Sequence, residues 1–351
     1  MDLLPSDEQQ MLAQSARAFV ARSLLELGVP GGAIAPPGTP SSRDEMWAQM
    51  AELGWTALPT LSDLTVVCEA FGWGAVPSPL IASTVTARSI AWAGTRDQQA
   101  RWLPSLESGK AIGTLAVIEP GMTDEWDGCR VDGGSVLTGT KLLVPWASSA
   151  DVVAVATADG LYIVECSAGA VRCQPHATIG DNPLFSVQLQ EAPSERLGDG
   201  DHAAVLQRAL DWAAVASLAD AVGAAARALE LTVQHAKDRR QFGRPIGSFQ
   251  AVAHRCVDLR SDLDACRLLM QQAAWALDRD EDRQLEVAAA KAYGNDALRR
   301  IFGHAHQVHG AIGFSTEHGL HRFTRRAKAF ELSCGSTGHH LERVAAAMGL
   351  G

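Results

Sequence analysis

From Ala203 to Asp238 the chain reads AAVLQRALDWAAVASLADAVGAAARALELTVQHAKD, more than thirty residues without a proline or a clear break. Alanine and leucine lead the helix propensity scale, and apolar residues recur here at three-to-four spacing, so the stretch is expected to be one long helix. SFQAVAHRCVDLRSDLDACRLLMQQAAWALDRD and then QLEVAAAKAYGNDALRRIFGHAHQVHGAIG predict two more long helices, and a shorter helical region closes the chain. Long helices joined by short connections bury their apolar stripes against one another, which predicts a four-helix, up-and-down bundle over residues 201–351.

Upstream the texture differs. QQMLAQSARAFVARSLLEL, DEMWAQMAELGW, DLTVVCEAFGWG and RDQQARWLPSLESG carry helical spacing, with the Gly- and Pro-rich VPGGAIAPPGTPSS (29–42) read as a loop. Residues 1–112 are thus expected to form an N-terminal helical domain. TLAVIEP, SVLTGTKLLVPWA, DVVAVATADGLYIVEC and PLFSVQLQEA are short β-branched runs parted by turn signals, which predicts an antiparallel β domain over 113–200. The expected class is α+β, mostly α, with helical, β and helical domains in that order. No GxGxxG follows a strand, so a Rossmann site is not expected.

A chain of 351 residues exceeds what a single core usually holds, and 47% hydrophobic residues suffice for several. Thirty Lys and Arg against forty Asp and Glu leave a net charge of −10, which argues against a general nucleic-acid or anionic-membrane surface. The N-terminus lacks a basic stretch before an apolar core, no run approaches about 18 uninterrupted apolar residues, and no membrane span is expected. Seven scattered cysteines with no CxxC pair indicate neither a disulfide framework nor zinc, so a reducing cytoplasm is the expected compartment.

Against this acidic background KDRRQFGRPIGSFQ (237–250) gathers Arg239, Arg240 and Arg244 around an aromatic residue and a glycine. The planar guanidinium suits phosphate oxygens, so the segment is a candidate anion-binding turn. Composition alone fits a solvated interhelical loop equally well.

Arg239, Gln241, Phe242, Gly243, Pro245, Ile246, Phe249 and Gln250 form an RxQFGxPIxxFQ pattern, and QVHGAIGFSTEHGLHRFTRRAK (307–328) follows at a distance. Both resemble signatures of acyl-CoA dehydrogenases, and the domain order, the GTRDQQARWLPSLESG run and the GTK at 139–141 are similar as well. The resemblance implies FAD, a glutamate that takes the α proton of an acyl-CoA, a flavin that takes the β hydride, and electrons leaving to an electron-transfer flavoprotein. It also implies a tetramer in which each flavin is gripped by two subunits. The contacts that such a subunit offers to its neighbour's flavin match Arg239, Gln241, Phe242, Gln250, Gln307 and Gly310, with Ala311 in place of a second glycine.

The contacts to a subunit's own flavin match less well. The family's TEPGxGSD corresponds to Ile118, Glu119, Pro120, Gly121, Met122, Thr123 and Asp124, without the first threonine and one residue shorter. Its WIT corresponds to Leu143, Val144 and Pro145, which offer neither indole, hydroxyl nor, at the proline, a backbone donor. The end motif places Cys334 where the catalytic glutamate stands, followed by Gly335, Ser336 and Thr337. Relatives that carry the glutamate on the first bundle helix match Ala213 there. Asp211, two residues earlier, faces nearly the opposite way on a helix. Glu331 could substitute only if the chain is helical through Cys334.

Other chemistries of the FELSCGSTGHH stretch are weaker. A Cys334 nucleophile with His339 or His340 needs an oriented imidazole. The histidines of HAHQVHG do not have the i, i+4 spacing of two helix-borne metal ligands, so no metal is expected. A Gly-rich stretch after the family's ELG motif is missing, which widens or retires the acyl cleft. The resemblance is to the subunit without the catalytic glutamate in the α2β2 acyl-CoA dehydrogenases of actinobacterial steroid degradation, completing the FAD site of a second acyl-CoA dehydrogenase-like subunit. A self-sufficient homotetramer with a relocated base and a non-catalytic scaffold are the alternatives.

Overall fold

The computed structural model describes residues 5–26, 40–123, 125, 129–166, 169–279 and 284–350. Helices α1 (Asp7–Glu26), α2 (Pro40–Glu52), α3 (Leu61–Gly74), α4 (Leu80–Ala93) and α5 (Arg96–Glu107) precede strands β1 (Gly113–Ala116), β2 (Val136–Pro145), β3 (Val152–Ala156), β4 (Leu161–Glu165), β5 (Val171–His176) and β6 (Leu184–Arg196). Next come α6 (His202–Asp238), the two-residue strands β7 (Arg240–Gln241) and β8 (Arg244–Pro245), then α7 (Gln250–Asp278), α8 (Gln284–His309), α9 (Leu320–Glu331) and α10 (Thr337–Ala347). Of the segment expected to be a loop, residues 29–39 lie outside the described residues, and residues 40–42 begin α2. Helix α4 and strand β5 have no counterpart in the sequence reading, and the chain closes with two helices after α8 where one was expected.

By contacts the chain groups into two units. The first contains residues 40–59 and 77–213. Its sheet runs β1-β3-β4-β6-β2, with β5 also on β6. All pairs but one are antiparallel; β1 runs parallel to β3, so the sheet is mixed where sequence suggested a purely antiparallel one. The long β6 makes this possible by pairing with β2 and β5 along its first part and with β4 near its end.

Strand β3 is buried at every position. Val153 and Val155 join the core within the sheet, whereas Val152 and Ala156 join Ile90 of α4 and Leu106 of α5 in a second core. A strand covered on both faces has no need of polar alternation, which explains its continuous apolar run. A capping box between Thr95 and Gln98 starts α5. The Gln98 amide also donates to Glu195 and the Arg196 carbonyl, both at 2.7 Å, fixing the helix to the end of β6.

The second unit contains residues 1–39, 60–76 and 214–351. Here α3 and α6 approach at two glycines. A Cβ on Gly72 would lie 1.7 Å from the Asp220 carbonyl oxygen, and one on Gly223 1.9 Å from that of Glu69. Only glycine permits backbones this close. Asp278, the last residue of α7, accepts from the Leu61 and Ser62 amides at 2.6 and 3.0 Å, satisfying two orphan donors at the start of α3. Arg326 grips Asp220 with two bonds of 2.6 Å and donates to the Val76 carbonyl at 2.9 Å. Helix α6 is long and apolar enough to cross a membrane, yet 83% of its most apolar window is buried within the protein.

Candidate functional site

Helix α6 ends one residue before Arg239, and the chain reverses at once. Arg240 pairs with Pro245 and Gln241 with Arg244, leaving Phe242 and Gly243 as a two-residue turn. Their φ values of 53° and 80° are those of a type I′ turn, whose twist matches a tight hairpin. A phenylalanine in left-handed backbone costs about 1 kcal/mol, which argues for a use of its side chain. That side chain is 92% exposed and lies edge-on to Phe249, 6.1 Å away. Arg239, Arg240, Gln241 and Gln250 are exposed, and Arg244 lies over the Phe249 ring at 4.1 Å.

The base of this hairpin is tied to the end of α8. The Arg239 amide donates to the His235 carbonyl at 2.9 Å, and the His235 ring stacks on His309 at 4.6 Å. Gln307, two residues before His309, is exposed, as are Gly310, Ala311 and Ile312 beyond it. Thus two motifs some sixty residues apart in sequence lie side by side.

The resemblance implies FAD, and this face suits its pyrophosphate and adenosine. It offers a guanidinium, side-chain amides and open space above Gly243 and Gly310, where an added Cβ would meet nothing within 4 Å. Gly310 stands at φ 64°.

The stretch matched to a subunit's own flavin contacts lies on the sheet and is built differently. Lys141, fully buried, donates to Glu119 at 2.5 Å and to the Val117 carbonyl at 3.1 Å. Glu119 also accepts from the amides of Arg130 and Val131. Burial works against its ionisation, but Lys141 and these two amides hold the carboxyl below the usual glutamate range. A mixed-charge cleft of about 420 Å³ opens beside it, lined by Arg130, Asp132, Thr138 and Thr140 among others.

Ile118 gives its carbonyl to the Leu142 amide at 2.7 Å. The register of β2 shifts between Lys141 and Val144, and this bulge throws Leu143 to φ 54° and 45% exposure. Pro145 accepts at its carbonyl from Thr114 at 2.5 Å. The indole next to it, Trp146, is only 5% exposed. Leu143 and Pro145 thus present hydrocarbon and a ring nitrogen without a proton, a donor set that does not match a flavin ring edge. Thr123 is exposed, and Asp124 lies outside the described residues.

The third locus is the turn after α9. The helix ends at Glu331, and Cys334 and Gly335 follow with φ 52° and 87°, so the condition for Glu331 to share a helical face with Cys334 is not met. Glu331 instead pairs with Lys328 at 2.8 Å. Ser336 caps α10 by accepting from the His339 amide.

His340 places Nε2 2.7 Å from the Cys334 carbonyl oxygen. A ring nitrogen that meets a carbonyl donates its proton there, so His340 is oriented on the backbone and not as a base for the thiol. Burial above all drives its pKa down to about 3, the Cys334 carbonyl opposing and Lys291 adding to the effect. From beneath, the buried Lys291 donates to Asn295 at 2.7 Å, the Phe330 carbonyl at 3.1 Å and the Gly335 carbonyl at 3.3 Å. Backbone carbonyls therefore absorb the charge around Cys334. On α6, Ala213 is half-buried, and the buried Asp211 accepts from Gln207 at 3.0 Å.

Sequence reasoning missed Lys291 and Asn295, and weighed the HAHQVHG histidines without the His235 and His318 rings that His309 meets. Each is a single polar residue in a helical pattern, and only the packing brings them together. Among the described residues, no group of three or more His, Cys, Asp and Glu is placed to hold a metal ion.

Helices, a mixed sheet and helices in this order, with an exposed basic hairpin beside a helix end, define a helix–sheet–helix protein. Residues 6–110 match the acyl-CoA dehydrogenase N-terminal domain and residues 200–349 its C-terminal domain. The chain is 31% identical over 336 residues to acyl-CoA dehydrogenase IpdE2 of Mycobacterium tuberculosis, covering 93% of this chain and 92% of that protein. The chain belongs to the acyl-CoA dehydrogenase family, oxidoreductases acting on acyl-CoA. PigA with FAD and proline shares the fold at a TM-score of 0.86 and 23% identity over 100% of both chains. A variant of the Tcur3481-Tcur3483 steroid ACAD matches at a TM-score of 0.85 and 26% identity over 98% of each.

Proposed function

We propose that this chain is the flavin-completing subunit of a heteromeric acyl-CoA dehydrogenase and supplies no catalytic base of its own. One contrast carries the reading. The face matched to a neighbour's flavin is exposed and rich in donors, whereas Ile118, Leu143 and Pro145 offer the chain's own flavin no side-chain donor. Drift would erode both halves alike; a division of labour between two subunits keeps one.

Arg239 would bind the pyrophosphate, and Gln241, Gln250, Gln307 and the backbone at Gly310 and Ala311 would line the adenosine side. FAD, when bound, accepts the hydride from the β carbon of the acyl thioester. The α proton goes to a glutamate of a second acyl-CoA dehydrogenase-like subunit, because Cys334 and Ala213 occupy the two positions where this chain would carry one. The assembly is α2β2, cytoplasmic, and passes its electrons to an electron-transfer flavoprotein. A bulky, steroid-derived acyl group is the proposed substrate class, supported by the shortened segment between Trp55 and Leu61 and by the likeness to a steroid ACAD.

The test is flavin content. Expressed alone the chain should be colourless; coexpressed with its partner it should yield a yellow mixed oligomer with about one FAD per heterodimer, each site being shared. A yellow homotetramer with one FAD per chain would overturn the proposal.

A further inference from the structure

Five histidines from three separate stretches meet where the hairpin base touches the end of α8. His235 stacks on His309 at 4.6 Å, His318 meets the edge of His309 at 4.6 Å and lies 6.5 Å from His235. His306 and His321 complete the group, His306 being held by Thr324 at 2.7 Å and stacked on Phe314 at 4.6 Å. His309 is 5% exposed, and its Nδ1 meets the Ala305 carbonyl at 2.8 Å.

The titratable groups facing these rings are mostly other imidazoles. His235 faces His318 and Arg239, with Asp238 as its carboxylate; His309 faces His235 and His306; His306 faces His321 and His318; His318 faces His309 and His321. Three buried ring nitrogens, Nδ1 of His306, His318 and His321, meet no acceptor among the described residues, whereas the buried His309 ring has the backbone of Ala305 and Leu231 beside it. A neutral imidazole tolerates such a place at moderate cost, whereas an imidazolium would bury an unmatched N–H beside other cations.

We propose that this histidine cluster is an acid-sensitive latch joining the 235–249 hairpin region to the 304–321 segment. Neutral, the stacked rings hold together the two stretches that carry Arg239 and Gln307. Protonated, they repel and the stretches separate. The device belongs to the chain itself; its bearing on flavin retention rests on the function proposed above.

Burial depresses the pKa of His235, His306, His309 and His318 from the ordinary 6.5. Opening lets each take up a proton, so the closed state is favoured above about pH 6.5 and loses ground as pH falls. Every histidine that is neutral when closed and charged when open steepens the opening equilibrium by up to about tenfold per pH unit.

Hydrogen exchange of the purified chain, in whichever assembly it forms, reads this directly without flavin. Protection factors, corrected for intrinsic exchange, would be followed from pH 7.5 to 5 in peptides covering 235–249 and 304–321, with β3 and β4 as reference. The expected result is a fall of more than tenfold per pH unit in both segments together, ahead of the sheet. His309→Gln should make that slope shallower by up to tenfold per unit, and the milder His318→Gln, at a half-buried position, should do likewise if the first variant folds poorly. Equal loss of protection in sheet and segments, or an unchanged slope in a folded variant, would overturn the latch. If the slopes behave as expected and flavin content in the assembled complex does not follow them, the latch stands and the flavin reading fails.

Discussion

Lys291→Met isolates the device that shapes the turn around Cys334. The ammonium is 1% exposed, donates to three acceptors at 2.7, 3.1 and 3.3 Å, and lies 4.1 Å from the centre of the Phe330 ring. Methionine keeps the length and the apolar stem while deleting all three bonds. Charge-assisted bonds contribute about 1.5–3 kcal/mol each, or roughly 4.5–9 kcal/mol together. Relief of burying an ammonium returns several kcal/mol of that. The net loss expected is about 2–4 kcal/mol, a large share of the ~5–15 kcal/mol that typically holds a protein folded. It should be local first: Cys334, 8% exposed, owes its left-handed backbone to these bonds and to His340. Urea unfolding followed by circular dichroism gives the stability change, and mass-spectrometric alkylation gives the reactivity of Cys334 under native conditions. Loss of more than 1.5 kcal/mol with at least about tenfold faster labelling of Cys334 is the expectation. A stability change within about 0.5 kcal/mol and unchanged labelling would mean that the lysine merely fills space.

Three further outcomes follow from the same geometry. Arg239→Ala in the assembled complex should weaken FAD binding by about 1.5–3 kcal/mol while leaving urea stability of the FAD-free chain unchanged, because the side chain is exposed; equal flavin affinity by titration would remove it from the site. Glu331→Gln should leave the turnover of the complex unchanged, since the carboxylate is engaged with Lys328; loss of activity with retained flavin would make Glu331 the base. For His340, whose pKa stands at about 3 in the fold against 6.5 ordinarily, the unfolded chain binds the extra proton, so its contribution is complete above pH 6.5 and shrinks as pH falls toward 3. The loss approaches ~1.4 kcal/mol per pH unit, and His340→Gln should flatten the stability curve between pH 6 and 4.5; an unaltered slope would refute the assignment.

The main helices and five of the six main strands were legible in sequence because their periodicity is local. Thr95 to Gln98 is a capping box written in four residues, and the apolar run of β3 announces a strand before any neighbour is known. The turn at Phe242 and Gly243 was legible as a break between two helices, while its hairpin pairing came only with the structure. The parallel pairing of β1 with β3 was not legible, because strand direction depends on which partner lies alongside. Helix α4 escaped notice because its Ser, Thr and Arg residues blur the apolar stripe, although Ser83, Thr84, Thr86 and Ser89 are all buried.

At the functional loci the division falls in the same place. The side-chain chemistry of Cys334, Ala213, Ile118, Leu143 and Pro145 is fixed by residue identity alone, for no packing can add a carboxylate or a donor that the side chain lacks. Tertiary structure decided which groups act on one another. It ended α9 at Glu331 and turned His340 onto the Cys334 carbonyl. It also set Lys291 under a turn some forty residues away and stacked His235 on His309 across more than seventy. Such contacts arise between helices whose surfaces were selected for packing, and a long-range pair leaves no periodic trace in either partner's sequence.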